Sequence, residues 1–118
     1  MKWKTAVIPF GFGMAGALLY KRRQRPLPEG LAGQVAVVTG ASRGLGYLLA
    51  QEFAHQGCRV VICARNEEEL TRAQIELVRC GAEVLAIPCD VADREQVQHL
   101  IDETIRHYGR IDILVNNA

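Results

Sequence analysis

The sequence predicts an α/β domain built on a doubly wound parallel sheet with helices on both faces. Three observations carry this. Four near-continuous apolar runs, at 34–39, 59–64, 83–89 and 111–116, have the length of strands. Between them, apolar residues recur at helical spacing, so strand and helix alternate along the chain. Of the 118 residues 49% are hydrophobic and only 6% aromatic, which suits a core of Val, Leu, Ile and Ala and excludes a disordered chain. Strands that are apolar throughout are buried on both faces, as in a parallel sheet. With those four strands numbered along the chain, right-handed crossovers favour the order 3-2-1-4.

The first strand, 34–39, runs into a turn with glycine at 40, 44 and 46. A helix follows from about Leu45, with Leu48, Leu49 and Phe53 on one stripe, and Gly57 stops it. The β-branched run at 59–64 is the second strand. Asn66 is placed to cap the next helix, with Glu67, Glu68 and Glu69 in the first turn where acids favour the dipole, and Gly81 closes it. After the third strand, 83–89, Asp93 caps a helix, with Gln96 three residues on as its capping-box partner. Val97, Leu100, Ile101, Ile105 and Tyr108 form its apolar stripe, Gly109 ends it, and 111–116 is the fourth strand.

Net charge is +1, so no global field points to nucleic acid. The charge is uneven. Residues 1–30 hold six Lys or Arg against Glu29, whereas residues 31–118 hold eight against twelve acids. Within the leader, residues 5–20 carry no charge and are flanked by Lys2, Lys4 and the run Lys21-Arg22-Arg23-Gln24-Arg25. This stretch is somewhat short of the about 20 residues of a spanning helix, but basic flanks snorkel and Trp3 and Tyr20 sit at interfacial positions. It reads first as a single membrane anchor, with the folded part on the cytoplasmic side. A cleaved signal peptide, with Ala15-Gly16-Ala17 as the cleavage site, and a peripheral or disordered leader are the other readings. Pro26, Pro28, Gly30 and Gly33 mark 21–33 as a linker. The chain thus divides into a leader and linker at 1–30 and a nucleotide-binding half-domain at 31–118. Cys58, Cys63, Cys80 and Cys89 lack metal-ligand spacing and read as buried or half-buried thiols of a reducing compartment. His55, His99 and His107 read as surface residues, and no metal site is expected.

The turn Thr39-Gly40-Ala41-Ser42-Arg43-Gly44-Leu45-Gly46 lies between a buried strand and a helix start, the setting of a phosphate cradle. Free N–H groups and the positive end of the dipole favour a dinucleotide pyrophosphate there. At the end of the second strand, a carboxylate would select the ribose hydroxyls of NAD. The sequence has Cys63-Ala64-Arg65-Asn66 instead. Arg65, with Arg43 from the glycine turn, would hold a 2′-phosphate and favour NADP over NAD. The alternative is that Arg65 is a solvated loop residue. Asp90 and Val91, ending the third strand, are placed to accept from an adenine amino group and pack on its ring. Asp90 could equally organise the turn before the Asp93 cap.

These residues resemble the short-chain dehydrogenases/reductases. The run 39–46 is similar to the family's T-G-x-x-x-G-x-G signature in its main, non-extended branch. Asp90-Val91 resembles the adenine-contact pair, and 111–118 looks like the strand leading into the N-N-A-G motif. The resemblance spans about 31–118 and implies a Rossmann-type fold, first half only. It implies that Gly40, Ala41, Ser42 and Arg43 line the phosphate and ribose site. Gly44, Leu45 and Gly46 would set the helix under the pyrophosphate, and Arg65 would hold the 2′-phosphate. Asp90 and Val91 would meet adenine, and Asn117 would lie near the nicotinamide-side ribose. Asn116 would tie the sheet together and Thr39 would be a structural hydrogen-bonding position.

The family's catalytic serine and Y-x-x-x-K pair have no counterpart in these 118 residues. Tyr47 has Gln51 where the lysine would stand, and Tyr108 has Asp112. The resemblance therefore implies an NADP-dependent oxidoreductase acting on a carbonyl or alcohol, with this chain supplying the cofactor part and inactive alone. An anchor would hint at a lipophilic substrate. The alternative is a catalytically inactive dinucleotide-binding or interaction module. Against it, a sheet ending at the fourth strand is expected to leave an open apolar edge.

Overall fold

The computed structural model describes residues 6–9 and 30–117. Its elements are β1 (Ala6–Pro9), β2 (Val35–Thr39), α1 (Gly44–His55), β3 (Arg59–Ala64), α2 (Glu67–Arg79), β4 (Val84–Pro88), α3 (Arg94–Tyr108) and β5 (Ile113–Asn116). All strand pairs are parallel, in the order β1-β5-β2-β3-β4. The four strands read from the sequence stand in the expected 3-2-1-4 arrangement, as β4-β3-β2-β5. Every residue of the central β2 is buried, which is why the run at 35–39 has no polar alternation.

The pleat divides the apolar residues between two cores. Ala36, Val38, Val60, Ile62, Ile113 and Val115 face α1 and α2, meeting Ala50 and Phe53 from the first helix and Leu70, Ala73 and Leu77 from the second. Val35, Val37, Val61, Cys63 and Ile87 face α3, whose Leu100 is buried among them with Val97, Ile101, Ile105 and Tyr108 alongside. The sheet is therefore covered on both sides, and the carboxyl ends of its strands open onto a single rim.

Helix ends follow the caps. Asn66 accepts from the Glu69 N–H at 3.1 Å, and Asp93 Oδ1 accepts from the N–H groups of Glu95 and Gln96. The capping box at Asp93 is only half made. Gln96 turns its amide oxygen to the Asp90 N–H at 2.8 Å and its amide nitrogen to Asp93 Oδ2 at 3.1 Å, so it ties the β4–α3 turn to the helix.

Four expectations need correction. Ala6–Pro9 is a strand paired with Ile113–Asn116, so a continuous membrane helix over 5–20 is incompatible with it: those backbone groups bond across to β5. The rest of that stretch, with the basic run at 21–25, lies outside the described residues, among which no helix is long and apolar enough to cross a membrane. For the same reason the edge expected to lie open beside the last predicted strand is covered by β1. Part of the 21–33 linker belongs to the domain, since Leu31 packs on the core and the Gly33 N–H donates to the Gly57 carbonyl at 3.0 Å. Of the four cysteines, all of them free, Cys58, Cys63 and Cys89 are buried, but Cys80 is exposed because it is the residue on which α2 ends. The three histidines are exposed, as expected.

Candidate cofactor site

The rim at the strand ends holds an open cleft of about 780 Å³. Its lining brings together the turn after β2 (Gly40, Ser42, Arg43), the exit of β3 (Ala64, Arg65, Asn66), Glu69 of α2, and the exit of β4 (Cys89, Asp90, Val91). Clefts at this place in an open parallel sheet are where such folds bind ligands.

The glycine turn is fixed from below. Thr39 Oγ1 accepts from the Asn117 N–H at 2.9 Å and lies 3.3 Å from both the Val115 carbonyl and Asn116 Oδ1. Asn117 Nδ2 donates to the Gly40 carbonyl at 3.2 Å, and the Ala41 N–H donates to the Cys63 carbonyl at 3.1 Å. Two glycines are required by space. Gly40 has φ of +62°, and a Cβ there would lie 2.6 Å from the Asn117 carbonyl oxygen. A Cβ on Gly46 would lie 2.3 Å from the Gly40 carbonyl oxygen. The first turn of α1 is thus pressed against the glycine turn, and only a residue without a side chain permits it.

The amino end of α1 differs from those of the other helices. Its N-cap, Arg43, makes no side-chain cap, and its first turn holds no acid. By contrast α2 and α3 are capped by Asn66 and Asp93 and carry acids in the first turn. No side chain of α1 or its N-cap therefore satisfies its first N–H groups or offsets its dipole, the electrostatic condition for an anion.

The cations are arranged asymmetrically. Arg43 is exposed and its Nε lies 3.9 Å from Glu69 Oε2. Arg65 is exposed on the same cleft and, among the described residues, makes no salt bridge. No acid stands at the β3 exit. Asp90 lines the cleft but is already engaged: its Oδ1 accepts from the Ala92 N–H at 3.0 Å and its carbonyl from the Asp93 N–H. It organises the turn and is also part of the cleft lining. Val91 lies beside it, exposed on the same wall.

Other predicted residues fall outside the cleft lining. Ala41 is fully buried in the core. Gly44 borders a neighbouring groove between α1 and α2, with Leu45 and Gly46 beneath it in the first helical turn. Asn117 sits below the turn, holding Gly40, while Asn116 meets Thr39. Sequence reasoning missed Glu69, taken as one of three dipole acids. Its position three residues after the Asn66 cap, which turns a side chain back toward the preceding loop, was the available signal.

Tyr47 offers no acid–base group to the rim. Its hydroxyl donates to Glu76 Oε2 at 2.8 Å and accepts from Gln51. Burial, together with that carboxylate, pushes its phenol up to about 12. Burial likewise pushes the Cys63 thiol up to about 12, with Cys89 beside it, so Cys63 stays protonated and inert beneath the cleft floor.

Comparison with known proteins agrees with this geometry. The family model for short chain dehydrogenases matches residues 34–118. The granaticin polyketide synthase putative ketoacyl reductase 1 of Streptomyces violaceoruber is 43% identical over 91 residues, covering 77% of this chain and 34% of that one. A metagenomic short-chain oxidoreductase solved in complex with NADP superposes with a TM-score of 0.71 at 42% identity, over 75% of this chain and 40% of that one. A Burkholderia phymatum short chain dehydrogenase/reductase solved with NAD superposes with a TM-score of 0.72 at 35% identity, over 75% of this chain and 31% of that one. The chain spans about a third of the length of the curated relatives it matches. Matched over most of its length, with the turn, sheet order and rim described above, this chain belongs to the short chain dehydrogenase family.

Proposed function

We propose that this chain forms the cofactor-binding part of an NADP-preferring oxidoreductase that moves a hydride between the cofactor and a carbonyl or alcohol carbon. The observation that carries the cofactor preference is the pair Arg43 and Arg65 on one cleft, with no carboxylate at the β3 exit. A 2′-phosphate has oxygens for both guanidinium groups, while the ribose hydroxyls of NAD lack their usual acceptor. The uncapped start of α1, at Gly44, Leu45 and Gly46, would take the pyrophosphate, and Gly40 and Ser42 would border it. Ala41, anchored to Cys63, would shape the turn from within. Asp90 and Val91 would hold adenine. Asn117 would reach the nicotinamide-side ribose from its place under Gly40. The NADP complex among the relatives supports the preference, and the NAD complex shows that the fold alone does not decide it.

When bound, the nicotinamide supplies the hydride chemistry. The residues described here bind and orient it, and none is assigned to proton transfer. A cytoplasmic setting is supported by four free cysteines. A lipophilic substrate and a membrane tether rested on the leader's composition, and the pairing of Ala6–Pro9 with β5 favours a place in the sheet for that segment.

The test is Arg65→Asp, with cofactor affinities measured by fluorescence titration. Loss of a charge-assisted phosphate contact, with a carboxylate put in its place, weakens NADPH by about 10- to 100-fold. NADH binding stays equal or improves. Unchanged NADPH affinity would refute the assignment.

A further inference from the structure

We propose that Glu69 sets how strongly this site prefers a cofactor carrying a 2′-phosphate, by competing with that phosphate for Arg43. The inference rests on the NADP reading above and adds a residue that opposes it. Glu69 is the third residue of α2, and the Asn66 cap holds its N–H, so its side chain starts from a fixed point at the rim. From there it leans over the glycine turn. Its Oε2 accepts from Ser42 Oγ at 3.3 Å and lies 3.9 Å from Arg43 Nε. The Glu69 side chain is 33% exposed and that of Arg43 83%, so the acid is the better-held partner of the pair. Glu67 and Glu68, from the same helical turn, border a separate groove with Thr71 and Arg72. Glu69 alone of the three lines the cleft shared by Arg43, Arg65 and Asp90.

A carboxylate and a phosphomonoester present a guanidinium with the same kind of oxygen acceptors, so Arg43 cannot fully serve both. The carboxylate also repels the phosphate charge directly, at a range where salt screens incompletely. A cofactor with a free 2′-hydroxyl meets neither penalty, and its hydroxyls can donate to Glu69. In place of an acid at the strand end, this site has one in the first turn of the following helix, beside Arg43 and on the cleft that Arg65 also lines. Glu69 therefore narrows the preference that Arg43 and Arg65 create.

The experiment compares Glu69→Gln with the unaltered protein, measuring dissociation constants for NADPH, NADH, 2′-AMP and AMP by titration at fixed salt. Glutamine keeps the shape and removes the charge. The NADPH-over-NADH and 2′-AMP-over-AMP ratios are each expected to rise about fivefold or more, with NADPH and 2′-AMP tightening. Glu68→Gln serves as the second variant, because it removes the same charge from the same turn away from the cleft, and its ratios are expected to stay put. A Glu69→Gln ratio that is unchanged or falls overturns the inference while the unaltered protein's NADPH preference still stands. An equal rise in Glu68→Gln also overturns it, since the effect would then be a general one of charge. If the unaltered protein shows no preference for NADPH or 2′-AMP, the NADP reading fails and the role of Glu69 fails with it.

Discussion

Gly46→Ala tests the close approach of α1 to the glycine turn. Helix propensity alone favours alanine over glycine by about 1 kcal/mol in a helix. The structure reverses that sign. The added Cβ would lie 2.3 Å from the Gly40 carbonyl oxygen, 2.5 Å from Asn117 Nδ2 and 2.9 Å from the Gly40 carbonyl carbon. Two of these atoms are backbone, so no rotamer change relieves them. Restoring ordinary contact requires the helix start and the turn to part by about 1 Å. Overpacking of this kind costs about 1–3 kcal/mol, which outweighs the propensity gain at most of that range. The net expectation is a loss of about 1 kcal/mol in stability. The same parting draws the N–H groups of α1 away from the pyrophosphate, and NADPH affinity falls about tenfold or more. Urea unfolding and NADPH fluorescence titration read the two effects. Leu48→Ala, on the same helix at a residue 57% exposed, is the control and stays within about 0.5 kcal/mol of the parent. A Gly46→Ala protein that unfolds at higher urea and binds NADPH unchanged would refute the reasoning.

Two further expectations concern the floor and flank of the cleft. Thr39→Val keeps the buried shape but leaves the Asn117 N–H without its 2.9 Å acceptor, costing about 1–3 kcal/mol in urea unfolding and speeding exchange of that amide. For Tyr47, the native structure favours the neutral phenol, so its stabilisation is complete below the ordinary pKa of 10.0 and is lost as pH rises toward about 12. Between pH 10 and 12 the parent therefore loses more stability than Tyr47→Phe, and parallel pH slopes for the two in urea unfolding would contradict this.

What the sequence made legible was mostly local. Runs such as Val35-Ala36-Val37-Val38 and stripes such as Val97, Leu100, Ile101 and Ile105 carry their period within a dozen residues. The glycine turn is legible because both its spacing and its setting between strand and helix are written in contiguous residues. Ala6–Pro9 was not legible as a strand. Its partner Ile113–Asn116 lies at the other end of the chain, and an uncharged run beside glycines has the same composition whether it faces lipid or a sheet. Glu69 was hidden by company. Three consecutive acids at a helix start satisfy the dipole equally well, and only the helical rotation separates the one over the cleft from its neighbours. Asp90 could be assigned to the rim but not between its two roles, because an aspartate that accepts from the N–H two residues on serves the turn whatever ligand lies beyond it.

The measurement that bears most directly on cofactor binding at this rim is an amide NMR titration of the protein with NADPH. Shifts centred on Gly40, Ser42, Arg43, Gly44, Leu45 and Gly46, on Arg65, Asn66 and Glu69, on Asp90 and Val91, and on Asn117 are predicted, with smaller shifts at Arg65 for NADH. Saturating NADPH that leaves the amides of the glycine turn and the start of α1 unmoved would contradict it.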